Sequence, residues 1–121
     1  MIIGIGTDIV KISRIERFIG RKDETPVDMI LTHQEALFKK GVQSIAGAFA
    51  AKEALLKALG IGFSRGLGRL LEIEILNDDG GKPFVVTSGI VNEITRQKQI
   101  SCIQVSISHD TDYAIAFVIC Q

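Results

Sequence analysis

Four side chains in this sequence have types and spacings that suit chemistry: Asp8, Glu53, Lys57 and His109. Asp8 stands at the end of an apolar run, MIIGIGTDIV. A carboxylate in that place is either the N-cap of a helix that follows or a metal ligand, and the local sequence alone favours the cap. Glu53 and Lys57 are an i,i+4 pair in SIAGAFAAKEALLKAL, residues 44–59, so they share one helix face. On an exposed helix such a pair is worth only about 0.3–0.5 kcal/mol. This segment, however, is apolar or small nearly all round, through Ala46, Phe49, Ala54 and Leu59, which predicts a largely buried helix. Charges on a buried helix are costly unless they are paired or bound to an ion, which favours a functional reading of Lys52, Glu53 and Lys57.

His109 lies in SISHDTD, at a tight turn beside Asp110 and Asp112, where a structural and a chemical role are both open. His33 falls in the first turn of another predicted helix and is expected to face solvent. Lys82-Pro83 follows Gly80-Gly81, which is turn chemistry first, although a lysine at a turn tip can also meet a phosphate. Gly4 and Gly6 lack the third glycine of a dinucleotide fingerprint and indicate close strand packing instead.

The elements that must hold these groups can be read from periodicity. Residues 2–10 predict a buried strand ending near Asp8, and KISRIERFIGRK an amphipathic helix closed by Gly20. Its apolar side carries Ile12, Ile15 and Ile19, and its outer side Arg14, Arg17 and Arg21. Residues 22–31 read as a loop around a proline. Thr32 and Glu35 have capping-box spacing, which predicts a short helix to about Lys40. The helix at 44–59 has Ser44 as its predicted cap and Gly60 as its stop. The glycine-rich stretch GIGFSRGLGR precedes a strand at 70–76, the turn NDDGGK and a strand at 83–87, together a hairpin. A helix at 88–97 capped by Ser88 and two strands, CIQVSIS and YAIAFVIC, complete the chain. This order predicts an α+β fold, a mainly antiparallel sheet packed by helices, as one domain over 1–121.

Composition narrows the function classes. The 121 residues are 46% hydrophobic and 23% charged, enough apolar surface to offset the entropy of ordering. The 14 basic and 14 acidic residues cancel, so the chain is no polycation for nucleic acid or membrane surfaces. Glu16 is the only acid among residues 9–22, so the arginine stripe keeps a local positive field that suits an acidic protein partner. Cys102 and Cys120 have no CxxC or histidine spacing and read as buried thiols in a reducing compartment. No apolar run approaches the roughly 20 residues that span a bilayer, and the start of the chain has no basic leader or cleavage site. The expectation is a cytoplasmic protein.

Four segments, MIIGIGTDIVKISRIER, FAAKEALLKALGIG, DDGGKPFV and VSISHDTDYAIAFV, together resemble the holo-acyl-carrier-protein synthases, in the right order and over most of the chain. These are the small phosphopantetheinyl transferases of bacterial fatty-acid synthesis. The resemblance implies transfer of 4′-phosphopantetheine from coenzyme A to a serine of apo-acyl carrier protein, leaving adenosine 3′,5′-bisphosphate. It implies magnesium as cofactor and a compact homotrimer with its active sites between protomers. It also implies Asp8 and Glu53 as metal ligands and Glu53, Lys57 and His109 as the catalytic set. The coenzyme would be held by Phe49, Lys52, Lys57, Lys82, Pro83, Ser108 and His109, and the carrier protein by Arg14, Arg17 and Arg21. Many members carry arginine just before F-A-A-K-E-A, where this chain has Ala48, and Arg65, Lys39 or Lys40 are its candidate replacements. The bottom-up chemistry agrees, because phosphoryl-type transfer needs charge neutralisation and positioning more than covalent help. A non-catalytic module that binds acidic partners through the basic helix is the alternative. The full set of Asp8, Glu53, Lys57 and His109 argues against it.

Overall fold

Period-two alternation sets the first element. In the computed structural model, which describes residues 1–20, 26–61 and 67–121, strand β1 spans Gly4–Lys11. Gly6 and Val10 turn inward, and Ile5 and Ile9 turn outward. The chain later returns as β4, Ile103–His109, and β5, Tyr113–Cys120. β5 lies between the other two, antiparallel to both, in the order β1-β5-β4. A separate hairpin is made by β2, Ile73–Asn77, and β3, Pro83–Thr87. Its turn is held by Asp78 Oδ1, which accepts from the Gly80 and Lys82 amides at 2.9 Å each, with Gly81 at φ +86°.

Helix α4, Val42–Ala58, crosses the three-stranded sheet from β4 to β1 (the shorter helices α1 to α3 precede it). The crossing is close because the facing residues are small. A Cβ on Gly6 would lie 1.8 Å from the Ala54 carbonyl oxygen, and one on Gly4 would lie 2.2 Å from that of Ala58. At the other end a Cβ on Gly47 would lie 2.9 Å from Ile107 Cγ2. The core between them is aliphatic: Val10, Ala114, Ala116 and Val118 from the sheet against Ala50, Ala51, Ala54 and Leu55 from the helix. The opposite face of the sheet is bare and apolar, with Ile5 60%, Ile9 61%, Ile115 44% and Phe117 44% exposed. The register sets Ile9 beside Ile115 and Thr7 beside Phe117.

The α+β architecture with antiparallel sheets is as expected, and several boundaries move. Helix α1, Ile12–Ile19, is preceded by Lys11 and has no side-chain cap. Asp8 is therefore not its cap; it sits inside β1, paired with Ala116. A helix α2, Pro26–Ile30, occupies part of the expected loop, because proline is pre-shaped for a first helical position. Helix α3, His33–Ala36, has the Thr32–Glu35 capping box but stops short of Lys40. His33 is exposed, as expected. α4 starts at Val42 after Gly41, so Ser44 is inside the helix; Gly60 follows its end at φ +75°. A 3-10 helix, Leu67–Glu72, replaces the start of the strand expected at 70–76. Helix α5, Gly89–Gln97, follows Ser88, whose hydroxyl makes no cap bond. Glu72 Oε1 does the capping instead, accepting from the Ile90 amide at 2.7 Å. Both cysteines are free; Cys120 is buried and Cys102 half-buried.

Candidate active site

The close approach of α4 to β1 brings Asp8, Glu53 and Lys57 together. Asp8 points to the α4 side of the strand, as do Gly6 and Val10. Lys57 Nζ donates to the Thr7 carbonyl oxygen at 3.0 Å and lies 3.3 Å from Asp8 Oδ1. The lysine side chain is 57% exposed, while that of Asp8 is only 17% exposed. Glu53 is 5% exposed and makes no hydrogen bond or ion pair with another described residue. Burial pushes the Asp8 carboxyl above its usual range, against the opposing hydrogen bond and charge of Lys57 and the charge of Arg14. Burial and then the Asp8 charge push Glu53 up as well, against Lys57.

Two partly desolvated carboxylates that repel each other make a site for a cation. Among the described residues no group of three or more His, Cys, Asp or Glu side chains forms a fuller ligand cage. Two carboxylates alone suit magnesium, which keeps several waters and takes phosphate oxygens as its other ligands. The donor set therefore fits that ion.

The other expected residues lie elsewhere on the protomer. An open cleft of about 200 Å³ is lined by Lys39, Gln43, Ser44, Gly47, Ala48, Asn77, Gly81, Pro83, Ile107 and His109. Glu53 and Ala48 are five residues apart on α4, about 140° round its axis. Across the sheet Asp8 pairs with Ala116 and Ala116 with Ile107, which is two strand spacings, roughly 10 Å. His109 and Pro83 thus belong to the cleft and not to the carboxylate cluster. Lys82 is exposed on the hairpin turn, Ser108 is exposed on the bare sheet face, and Phe49 is half-buried against the core. Arg14 and Arg17 are exposed on α1, with the charge of Arg14 felt at Asp8. Arg21 and Arg65 lie outside the described residues.

Lys52 departs furthest from expectation. It is fully buried, with its Nζ 2.6 Å from Glu35 Oε1, so it points into the core and away from any coenzyme surface. Its position one residue from Glu53 turns it about 100° round the helix.

Lys39 was a candidate from sequence, whereas Gln43, Ser44 and Asn77 were not singled out. Asn77 is the first residue of the NDDGGK turn, and that place is the one signal that could have found it. Among the described residues Lys39 Nζ has the Asn77 amide oxygen as its one hydrogen-bond partner, at 3.4 Å, and burial holds its ammonium below the usual lysine range against the charge of Glu35.

Comparison with known proteins identifies the family. Residues 4–118 match the model of the 4′-phosphopantetheinyl transferase superfamily. A holo-[acyl-carrier-protein] synthase from Geobacillus sp. (strain WCH70) is 46% identical, over 98% of this chain and 96% of its own. The crystal structure of holo-[acyl-carrier-protein] synthase from Neisseria meningitidis superposes with a TM-score of 0.88 at 35% identity, covering 100% of this chain and 99% of that one. The Helicobacter pylori synthase in complex with coenzyme A gives 0.81 at 36% identity, over 97% and 99%. A family match across nearly the whole length, on a fold that places Asp8, Glu53 and Lys57 side by side, leaves one conclusion: the chain belongs to the 4′-phosphopantetheinyl transferase superfamily.

Proposed function

We propose that this protein is a holo-acyl-carrier-protein synthase that moves 4′-phosphopantetheine from coenzyme A to a serine of apo-acyl carrier protein. The serine oxygen bonds to the pantetheine-bearing phosphorus. The bond from that phosphorus to the bridging oxygen breaks, and adenosine 3′,5′-bisphosphate leaves with that oxygen. Asp8 and Glu53 are the residues that hold magnesium, which when bound supplies positive charge to the pyrophosphate. Lys57, anchored on Thr7 and Asp8, adds a cation where charge grows on the leaving phosphate. Glu53 and His109 are the candidate acceptors of the serine proton.

The working unit in this reading is a homotrimer. Two observations support it: the bare apolar face of β1 and β5, and the separation of His109 and Pro83 from the carboxylates within one protomer. The cleft of one copy then faces the carboxylates of the next, and Pro83, Lys82, Ser108 and His109 hold the coenzyme. Lys39 supplies a cation beside Ala48 in that cleft. Arg14, whose charge is felt at Asp8, and Arg17, both exposed on α1, dock the acidic carrier protein, with Arg21 continuing the stripe in sequence.

The observation that carries the reading is Asp8 and Glu53 gathered beside Lys57 by β1 and α4. Transfer of labelled phosphopantetheine to apo-acyl carrier protein, with magnesium and with a chelator, tests it. Label should appear on the carrier protein only with the metal, and no transfer under either condition overturns the reading.

A further inference from the structure

Among the described residues, the core beneath α4 contains one ion pair in otherwise aliphatic surroundings. Lys52 and Glu35 are both at 0% exposure, with Nζ 2.6 Å from Oε1. Lys52 Nζ also donates to the Ile30 carbonyl oxygen at the end of α2. Glu35 Oε1 accepts from the Thr32 amide at 3.0 Å, and its Oε2 from the Ile75 amide of β2 at 2.9 Å. Thr32 Oγ1 in turn donates to Glu74 Oε2 at 2.6 Å. One side chain of α4 is therefore tied through directed bonds to α2, α3 and β2.

Stability alone does not account for such a pair. Exchange of a buried ion pair for well-packed apolar residues is often neutral or stabilising, because desolvation offsets the attraction. What the pair adds is direction. The rest of the α4 interface is smooth: Ala46, Ala50, Ala51 and Ala54 pack with the sheet, and Gly4 and Gly6 admit the helix carbonyls. Small side chains fix how near a helix lies more firmly than how it is turned about its axis. Glu53 is the next residue after Lys52, so the turn of the helix at Lys52 sets the direction in which the Glu53 carboxylate leaves it.

We propose that Lys52 and Glu35 are positioning residues: their buried pair sets the rotation of α4 that aims Glu53 at Asp8. The proposal rests on the reading of Asp8 and Glu53 as the cation-holding pair. Residues that orient metal ligands typically change metal affinity or activity by about 10–100-fold when altered.

The test uses the full-length protein and the double variant Glu35→Gln/Lys52→Met, which removes both charges at similar volume. Circular dichroism and thermal melting establish folding. Calorimetry then measures Mn2+ affinity in the presence of coenzyme A, and kinetics separate kcat from the coenzyme KM. We expect a folded variant whose Mn2+ affinity falls about tenfold or more, with kcat reduced and the coenzyme KM within twofold of wild type. A folded double variant with wild-type Mn2+ affinity and kcat overturns the proposal. Glu35→Asp keeps both charges, shortens the link by one methylene and decides the matter if the double variant fails to fold. Weakened Mn2+ binding in it supports the pair, and unchanged binding overturns it. Failure of the underlying reading is distinct: Glu53→Ala would then bind Mn2+ as the wild type does.

Discussion

Lys57 ends on two consecutive residues of β1, 3.0 Å from the Thr7 carbonyl oxygen and 3.3 Å from Asp8 Oδ1. Glu53, one turn earlier on the same helix, has no hydrogen-bond donor among the described residues and carries a carboxyl raised by burial and by the Asp8 charge. The site is thus organised around negative charge that the lysine only partly offsets.

That imbalance has a pH signature. The folded protein holds the Asp8 and Glu53 protons more tightly than the unfolded chain does. Metal-free stability should therefore decline as pH climbs from the ordinary values of 3.8 and 4.5 toward the raised folded ones. At neutral pH Glu53→Gln should raise the metal-free Tm, by about 4 °C for each kcal/mol regained. Magnesium with coenzyme A should then stabilise the wild type and not the variant. Thermal melts at acid and neutral pH, with and without the metal, check this. A variant less stable than wild type at both pH values would contradict it.

Loss of either carboxylate should silence the enzyme without unfolding it. Asp8→Ala and Glu53→Ala are expected to retain the wild-type circular dichroism spectrum and lose transfer. In calorimetry with coenzyme A present, magnesium binding should weaken in both. Unchanged affinity in both variants rejects these residues as ligands.

Gly6→Ala tests the packing that gathers the site. Its new Cβ would stand 1.8 Å from the Ala54 carbonyl oxygen, so helix and strand must part. Overpacking of this kind costs about 1–3 kcal/mol or more, and a Tm lower by several degrees is expected. Gly68→Ala, which meets nothing within 4 Å, is the control and should leave Tm nearly unchanged. Equal melting of the two variants would show that the close approach is not required.

Arg14 is exposed on α1, and its charge is felt at Asp8, so a partner docked there arrives beside the candidate site. Isolated surface pairs contribute about 0–1 kcal/mol, but a cluster steers encounter with an acidic protein in a salt-dependent way. Arg14→Glu should raise the KM for acyl carrier protein far more than that for coenzyme A. Added salt should weaken the wild type more than the variant. An unaltered carrier-protein KM with unaltered salt dependence would place docking elsewhere.

Phe117, 44% exposed on the bare sheet face, tests assembly. Light scattering should give about three times the chain mass for the wild type and a smaller species for Phe117→Glu, with transfer lost alongside. A wild-type monomer fully active at assay concentration would sink the trimer.

Local chemistry was legible in the sequence wherever a few neighbouring residues decide the outcome. The Thr32–Glu35 capping box, the Asp78–Lys82 turn and the wide apolar surface of α4 are of this kind, since their partners lie within a few positions of one another. The family pattern also marked Asp8, Glu53 and Lys57. Tertiary structure alone decided what depended on distant partners. Asp8 is no helix cap because its pairing with Ala116, far along the chain, carries β1 on to Lys11. Lys52 and Glu53 are neighbours in sequence, yet one is sealed in the core with Glu35 and the other faces Asp8. His109 is kept from the carboxylates by a sheet register in which β5 lies between β4 and β1. Side-chain direction round a helix and strand order in a sheet are set by what packs against them, and those contacts are long-range.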